Sequence, residues 1–184
     1  MSKSVFGIAA SIDQSSAIVR RLKNAGFADQ DISVLLPDKS GTRDFAHKQS
    51  TKAPEGATAG ASAGGAIGGT LGLLAGIGAL TIPGAGPFIA AGPILAFLSG
   101  AAAGAAAGGL AGALIGMGIP EYEAKRYEGK IMGGNILISV HTESGDEAKT
   151  ARTILEEEGA QDINSAGEVA AEVKVVKDTP RTVV

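Results

Sequence analysis

The residue types that most often carry enzyme chemistry are scarce in this chain. None of its 184 residues is cysteine, which excludes disulfides, zinc ribbons, iron–sulfur clusters and thiol catalysis. Its two histidines, His47 and His141, lie on opposite sides of a long neutral tract, so a histidine-rich metal site is not expected. Gly129-Lys130 is followed by Ile131, which breaks the phosphate-loop pattern. We therefore predict a protein that is not an enzyme and that has no cofactor, catalytic residue or metal site.

The charge balance argues against nucleic acid as a partner. The net charge is −3 and the isoelectric point is near 5.4, whereas nucleic-acid-binding domains are usually basic. The first residues lack the apolar run of a secretory signal, so we expect the chain to begin in the cytoplasm.

An uncharged tract divides the chain into three parts. Between Glu55 and Glu121 lie 65 residues without Asp, Glu, Lys, Arg, His, Asn or Gln, and 38 of them are Gly or Ala. Disordered linkers are normally polar, so this apolar tract is expected to be buried in lipid or in protein.

Glycine recurs at every fourth position in both parts of this tract. That spacing places the glycines on one stripe of a helix, where two helix backbones can approach closely, as in membrane Gly-xxx-Gly packing. Each glycine costs a helix in water about 1 kcal/mol, so an isolated soluble helix would not tolerate six of them in one arm. The predicted helix-packing positions are Gly56, Gly60, Gly64, Gly68, Gly72, Gly76, Gly92, Gly100, Gly104, Gly108, Gly112 and Gly116.

The tract is predicted to form a helical hairpin. The two helices are expected over about residues 57–81 and 93–118, on either side of a Pro- and Gly-rich break at residues 82–87. Each would be roughly 37 Å long at 1.5 Å per residue, which exceeds the roughly 30 Å of a bilayer core. Gly and Ala contribute little transfer free energy, so burial of the hairpin in a soluble oligomer is the main alternative, and a disordered tract is the third.

Aromatic and basic residues on both sides of the tract suggest contact with a membrane surface. The predicted membrane-interface residues are Lys48, Lys52, Tyr122, Lys125, Arg126 and Tyr127. A second interpretation is an amphipathic connecting helix whose Ala124, Tyr127 and Ile131 face a sheet, and the two interpretations are compatible.

The charged flanks have the patterns of one small domain in two halves. Each half alternates like a strand, continues with helical spacing, and ends in a second strand. The predicted elements are a strand over Ser4–Ala10, a helix from the N-cap Asp13 to Gly26, a strand over Ile32–Leu36, a strand over Asn135–His141, a helix from the capping box Ser144–Glu147 to Gly159, and a strand over Asp162–Val169 that extends more weakly to Val176.

This order predicts an α+β fold. Two split βαβ units make a ferredoxin-like sandwich, with a four-stranded antiparallel sheet and two helices on one face, and the glycine-zipper hairpin interrupts it. The predicted divisions are residues 1–54 and 120–176 for the two halves, residues 55–119 for the hairpin, and residues 177–184 for a flexible tail.

Two stretches carry a family resemblance over about residues 4–170. They are residues 17–27 followed by 31–34, and residues 118–128 followed by 133–141. With the glycine zipper between them, the chain resembles bacterial general-stress, or low-temperature-induced, proteins. It is distantly similar to the small membrane-anchored subunit of alternative complex III. The resemblance implies a stress-linked, membrane-associated protein and supplies no catalytic residues.

The sequence thus favours a structural or interaction protein. Its hairpin would insert in, or assemble at, the cytoplasmic membrane with both termini cytoplasmic, and its ferredoxin-like domain would serve oligomerisation or docking. The expected partners are membrane lipid and further copies of the chain. The alternatives are a soluble, cytoplasmic homo-oligomer whose hairpins share an apolar core, and an accessory subunit of a membrane complex.

Overall fold

The computed structural model describes residues 3–38, 77–82, 85–100 and 102–167. These residues form six strands and five α-helices, with a short 3-10 helix at Asp29–Asp31. The strands are β1 (Lys3–Ala9), β2 (Ile32–Pro37), β3 (Ile77–Ile82), β4 (Gly86–Ala91), β5 (Ile136–Thr142) and β6 (Gln161–Gly167). The helices are α1 (Ile12–Asn24), α2 (Pro93–Gly100), α3 (Ala102–Gly116), α4 (Glu121–Met132) and α5 (Gly145–Glu157).

All six strands belong to one antiparallel sheet. Their order is β3-β4-β2-β5-β1-β6, and every neighbouring pair runs antiparallel. The predicted α+β class is therefore confirmed. The prediction of four strands was too low, because β3 and β4 of the uncharged tract continue the sheet beyond β2.

Both faces of the sheet are covered by helices. Val5 and Ala9 of β1 face α1 and α5, where they pack with residues such as Leu22 and Leu155. The alternate residues of β1, Phe6 and Ile8, face the other way, into a core built with α2, α3 and α4. A strand covered on both sides is apolar at nearly every position, and β1 is buried from Ser4 to Ala9.

The predicted first helix of the hairpin is wrong at its end, because Ile77–Ile82 is strand β3. The four-residue glycine repeat stops at Gly76, and the segment that follows contains three β-branched residues, Ile77, Thr81 and Ile82. A three-residue connection then returns the chain to Gly86, whose φ of +103° suits a hairpin turn. Residues 57–76 lie outside the described residues.

The predicted second helix begins at Pro93 as expected but is not continuous. Its described residues lie in α2 and α3, and α3 is broken at Gly109, where φ is 59° and ψ is −149°. Gly92 precedes α2 in a turn with φ of +78°, so its assignment to the helix-packing stripe is wrong. An ideal Cβ at Gly92 would lie 2.1 Å from the carbonyl oxygen of Ile32, so the glycine allows a close approach to a strand instead.

Helix caps in the flanks match the sequence patterns with one exception. Ser144 accepts a hydrogen bond from the main-chain N–H of Glu147 at 3.1 Å, which confirms the predicted start of α5. Gly26 and Gly159 have positive φ just after α1 and α5. The N-cap of α1 is Ser11, not Asp13, because its hydroxyl accepts from the N–H of Gln14. The predicted extension of the last strand to Val176, and the tail, lie outside the described residues.

Candidate functional site

A polar cluster lies where α4 crosses the edge strand β6. The pairing of β6 with β1 shifts register between Phe6 and Ile8, which marks a β-bulge. Asp162 occupies this bulge with φ of +51°, a left-handed conformation that aspartate tolerates better than most residues. Bulges and left-handed non-glycine residues are enriched at functional sites, so this cluster is the first candidate in the described part of the chain.

The side chain of Asp162 is buried between two cations. Only 6 % of it is exposed, and it forms ion pairs with Arg126 and Lys130 of α4. Lys130 also donates a hydrogen bond from Nζ to Oε1 of Gln161 at 2.8 Å. Both cations are more exposed than the carboxylate, so water shares in their solvation. The bulge therefore turns a single carboxylate inward to hold one side of α4.

Tyr127 ties the same helix to the same bulge. Its hydroxyl donates to the main-chain carbonyl of Asp162 at 2.7 Å, and its ring centre lies 6.5 Å from that of Phe6. Burial raises the pKa of Tyr127 to about 12, although a hydrogen bond with Asn164 opposes the shift. The phenol is therefore protonated at neutral pH, where it serves as a hydrogen-bond donor rather than as a general base.

Every polar contact described for this cluster joins α4 to the bulge of β6. Its carboxylate is paired with two cations, and the hydroxyl of its phenol donates to the main-chain carbonyl of Asp162. Within the described ranges, no three His, Cys, Asp or Glu residues lie close enough to hold a metal ion. We assign the cluster as a positioning device for α4.

The structure places the predicted membrane-interface residues in different environments. Tyr122 is 78 % exposed, and Lys125 and Arg126 are also exposed. Lys125 pairs with Glu121 one turn earlier at 2.6 Å, and this contact raises the pKa of Lys125 and lowers that of Glu121. Lys48 and Lys52 lie outside the described residues.

Tyr127 is the exception among these residues, because it is buried against the sheet. The amphipathic interpretation of α4 is confirmed, since Ala124, Tyr127 and Ile131 are all buried and share one face of the helix. In this fold Tyr127 is therefore not part of an exposed aromatic belt, and the prediction of an interfacial position is wrong for that residue.

The predicted glycine stripe is only partly described. Gly56, Gly60, Gly64, Gly68, Gly72 and Gly76 lie outside the described residues. Gly100, Gly104, Gly108, Gly112 and Gly116 lie on α2 and α3, but the break at Gly109 separates the last two from the rest. An ideal Cβ at Gly116 would meet Phe97 of α2 at 3.4 Å, which is ordinary contact between the two helices.

Two residues of the described fold were missed by sequence reasoning. The first is Asp162, whose position is set by the β-bulge. The only local indication of a bulge there was the Asp-Ile-Asn run in β6, because Asp and Asn tolerate left-handed backbone. The second is Glu128 of α4, which accepts a hydrogen bond from the N–H of Ala111 in α3 at 3.1 Å. No local sequence pattern predicted that contact.

In the described ranges, no helix is both long enough and apolar enough to cross a bilayer. Comparisons with protein families, with curated proteins and with solved structures gave no match for this chain.

Proposed function

We propose that this chain is a non-enzymatic interaction protein that associates with the cytoplasmic membrane through its uncharged tract. The observation that carries the proposal is the outward side of α3. From Gly108 to Gly116 this helix has no polar side chain, and Ile115 is 42 % exposed on it. A helix on the surface of a soluble domain normally has a polar outer side, so α3 is suited to an apolar environment.

The sheet supports the proposed placement of both flanks on one side of a membrane. Strands β1 and β2 precede the tract, and β5 and β6 follow it, yet all four are hydrogen-bonded neighbours. Their order, with α1 and α5 on the same face, supports a ferredoxin-like interpretation of the flanking halves. A cytoplasmic location for both flanks and a stress-related role are part of the proposal, and the stress role rests on the family resemblance alone.

The test is membrane retention with a matched pair of variants. The chain is expressed without detergent, membranes are collected by ultracentrifugation, and the pellet is washed with alkaline carbonate. Ile115→Lys adds a charge to the outer side of α3, whereas Thr150→Lys adds the same charge at an exposed position of α5. We expect Ile115→Lys to lower the retained fraction and Thr150→Lys to leave it unchanged. Wild-type protein found entirely in the supernatant would contradict the proposal.

A second candidate function is soluble self-association, which the contrast between the two sheet edges favours. Edge strand β6 has a bulge and an inward-turned charge, two devices that prevent strands from pairing with other chains. Edge strand β3 has neither, since its register with β4 is unbroken over six pairs and it has no charged residue or proline. Two copies of β3 can therefore pair antiparallel without repulsion.

This alternative is tested by the oligomeric state in detergent-free buffer. Ala79→Lys places a charge on β3, and Ser165→Lys places one on β6, both at exposed positions. If β3 mediates assembly, light scattering after size exclusion shows a smaller mass for Ala79→Lys only. A monomeric wild-type protein, or equal effects of both variants, would exclude assembly through β3.

A further inference from the structure

The break in α3 is stabilised by a residue from another helix. Gly109 has φ of 59° and ψ of −149°, a region of backbone space that only glycine adopts readily. Because the helix restarts after this residue, the main-chain N–H groups of its new first turn have no partner within the helix. Glu128 of α4 accepts one of them, the N–H of Ala111, at 3.1 Å. A carboxylate at this position also interacts favourably with the dipole of the restarted helix.

The restarted part of α3 packs into the core. Leu110, Ala113 and Leu114 follow the break and are at most 2 % exposed. They join the core between the sheet and α4, together with Ile94 and Leu98 of α2. The break at Gly109 and its cap by Glu128 thus immediately precede residues that pack onto the sheet.

The same segment is long enough to span a bilayer if it is straightened. Residues 93–116 contain no charged side chain, and Ser99 is their only polar one. As one continuous helix they would measure about 36 Å at 1.5 Å per residue, compared with roughly 30 Å for a hydrocarbon core. In the described fold this segment is not one continuous helix, because α3 is broken at Gly109.

We propose that the Gly109 break, with its Glu128 cap, is a hinge that retains the apolar segment on the sheet and opposes its insertion into a bilayer. Opening the hinge would exchange packing against the sheet for burial of the same side chains in lipid. This inference rests on the proposed membrane association, and it specifies how that association is regulated.

Two neighbouring glycines provide a matched test of the hinge. Gly109→Ala disfavours the broken backbone, because alanine rarely adopts that conformation. Gly108→Ala adds the same methyl group at a helical position where no described atom lies within 4 Å. Glu128→Ala removes the cap without changing the glycine, and Glu128→Gln retains an acceptor oxygen. Circular dichroism and a thermal melt identify any variant that fails to fold.

Opening of the hinge is measured first without membranes. The chain has no cysteine, so Ala113→Cys introduces a single thiol at a buried position that a maleimide reaches only when the segment leaves the sheet. We expect Gly109→Ala to raise the labelling rate about fivefold or more over Gly108→Ala, because holding alanine in the backbone conformation of Gly109 costs about 1–3 kcal/mol. Glu128→Ala should also raise the labelling rate, and Glu128→Gln should label at close to the wild-type rate.

Insertion is measured separately by flotation with vesicles of phosphatidylethanolamine and phosphatidylglycerol. A higher floated fraction for Gly109→Ala than for Gly108→Ala supports the complete proposal. Equal labelling rates for the two alanine variants, with Glu128→Ala also unchanged, would overturn the hinge. Faster labelling without any flotation would contradict membrane association and leave the hinge in place. If Gly109→Ala does not fold, the hinge is tested by comparing the labelling rates of Glu128→Ala and Glu128→Gln, and equal rates would overturn it.

Discussion

The hydroxyl of Tyr127 donates to the main-chain carbonyl of Asp162 across 2.7 Å, which joins the middle of α4 to the bulge of β6. The same bulge turns the Asp162 carboxylate toward Arg126 and Lys130 on either side of Tyr127. One irregular residue in an edge strand therefore fixes three positions of the helix, which are Arg126, Tyr127 and Lys130. The same helix also provides Glu128, which accepts a hydrogen bond from the N–H of Ala111 in α3.

The first prediction concerns the charge of Asp162. Asp162→Asn retains a side chain that tolerates left-handed backbone but leaves Arg126 and Lys130 without their buried partner. Loss of one member of a fully buried pair costs about 3–5 kcal/mol, and the exposure of both cations reduces this to about 1–2 kcal/mol. Asp162→Ala should cost about 1 kcal/mol more, because alanine tolerates the positive φ less well.

Urea unfolding measures both free energies. Glu143→Gln is the control, because it removes a charge from an exposed loop position. The assignment of the cluster as a positioning device fails if Asp162→Asn unfolds at the same urea concentration as Glu143→Gln.

The second prediction concerns stability in alkaline solution. The folded-state pKa of Tyr127 is raised from 10 to about 12, so the folded chain retains a proton that the unfolded chain loses. Its contribution to stability is complete below pH 10 and disappears as the pH rises through 12. Two pKa units correspond to about 2–3 kcal/mol, which should be lost across that interval.

A phenolate titration in the Tyr122→Phe background isolates this group, because the chain has only two tyrosines. Tyr127→Phe should remove the part of the alkaline loss of stability that this phenol causes, so its unfolding free energy should fall less between pH 10 and pH 12 than that of the wild type. An absorbance midpoint near pH 10 in the Tyr122→Phe protein would show that burial does not hold the phenol neutral.

The sequence patterns predicted the flanking elements because their signals are local. The alternation in β1, the apolar face of α1 and the glycines after α1 and α5 each depend on a few adjacent residues. Strand β3 was mistaken for helix because a short apolar run such as Ile77–Ile82 fits either structure until its pairing with β4 is known. Contacts such as Glu128 to Ala111 and Arg126 to Asp162 link distant positions, and only the assembled fold specifies them.

The last prediction concerns Gly92, the glycine that the four-residue repeat placed on a helix and the structure places in a turn. An ideal Cβ there would lie 2.1 Å from the carbonyl oxygen of Ile32, and φ is +78°. Gly92→Ala would force β2 and the start of α2 apart and would disturb the bond from the N–H of Ile94 to Ser33 Oγ, which is 3.1 Å long. We expect a loss of at least about 3 kcal/mol, since overpacking and backbone strain add.

Gly145→Ala is the control for that substitution. Gly145 opens α5 without a positive φ, and no described atom lies within 4 Å of its ideal Cβ. Its replacement should change stability by less than about 1 kcal/mol, in the stabilising direction, because alanine restricts the unfolded chain. Thermal melts of the two variants distinguish a glycine that the turn requires from one that it does not. Equal melting temperatures would mean that α2 does not approach β2 as closely as in this fold. The apolar segment would then pack on the sheet in a different position.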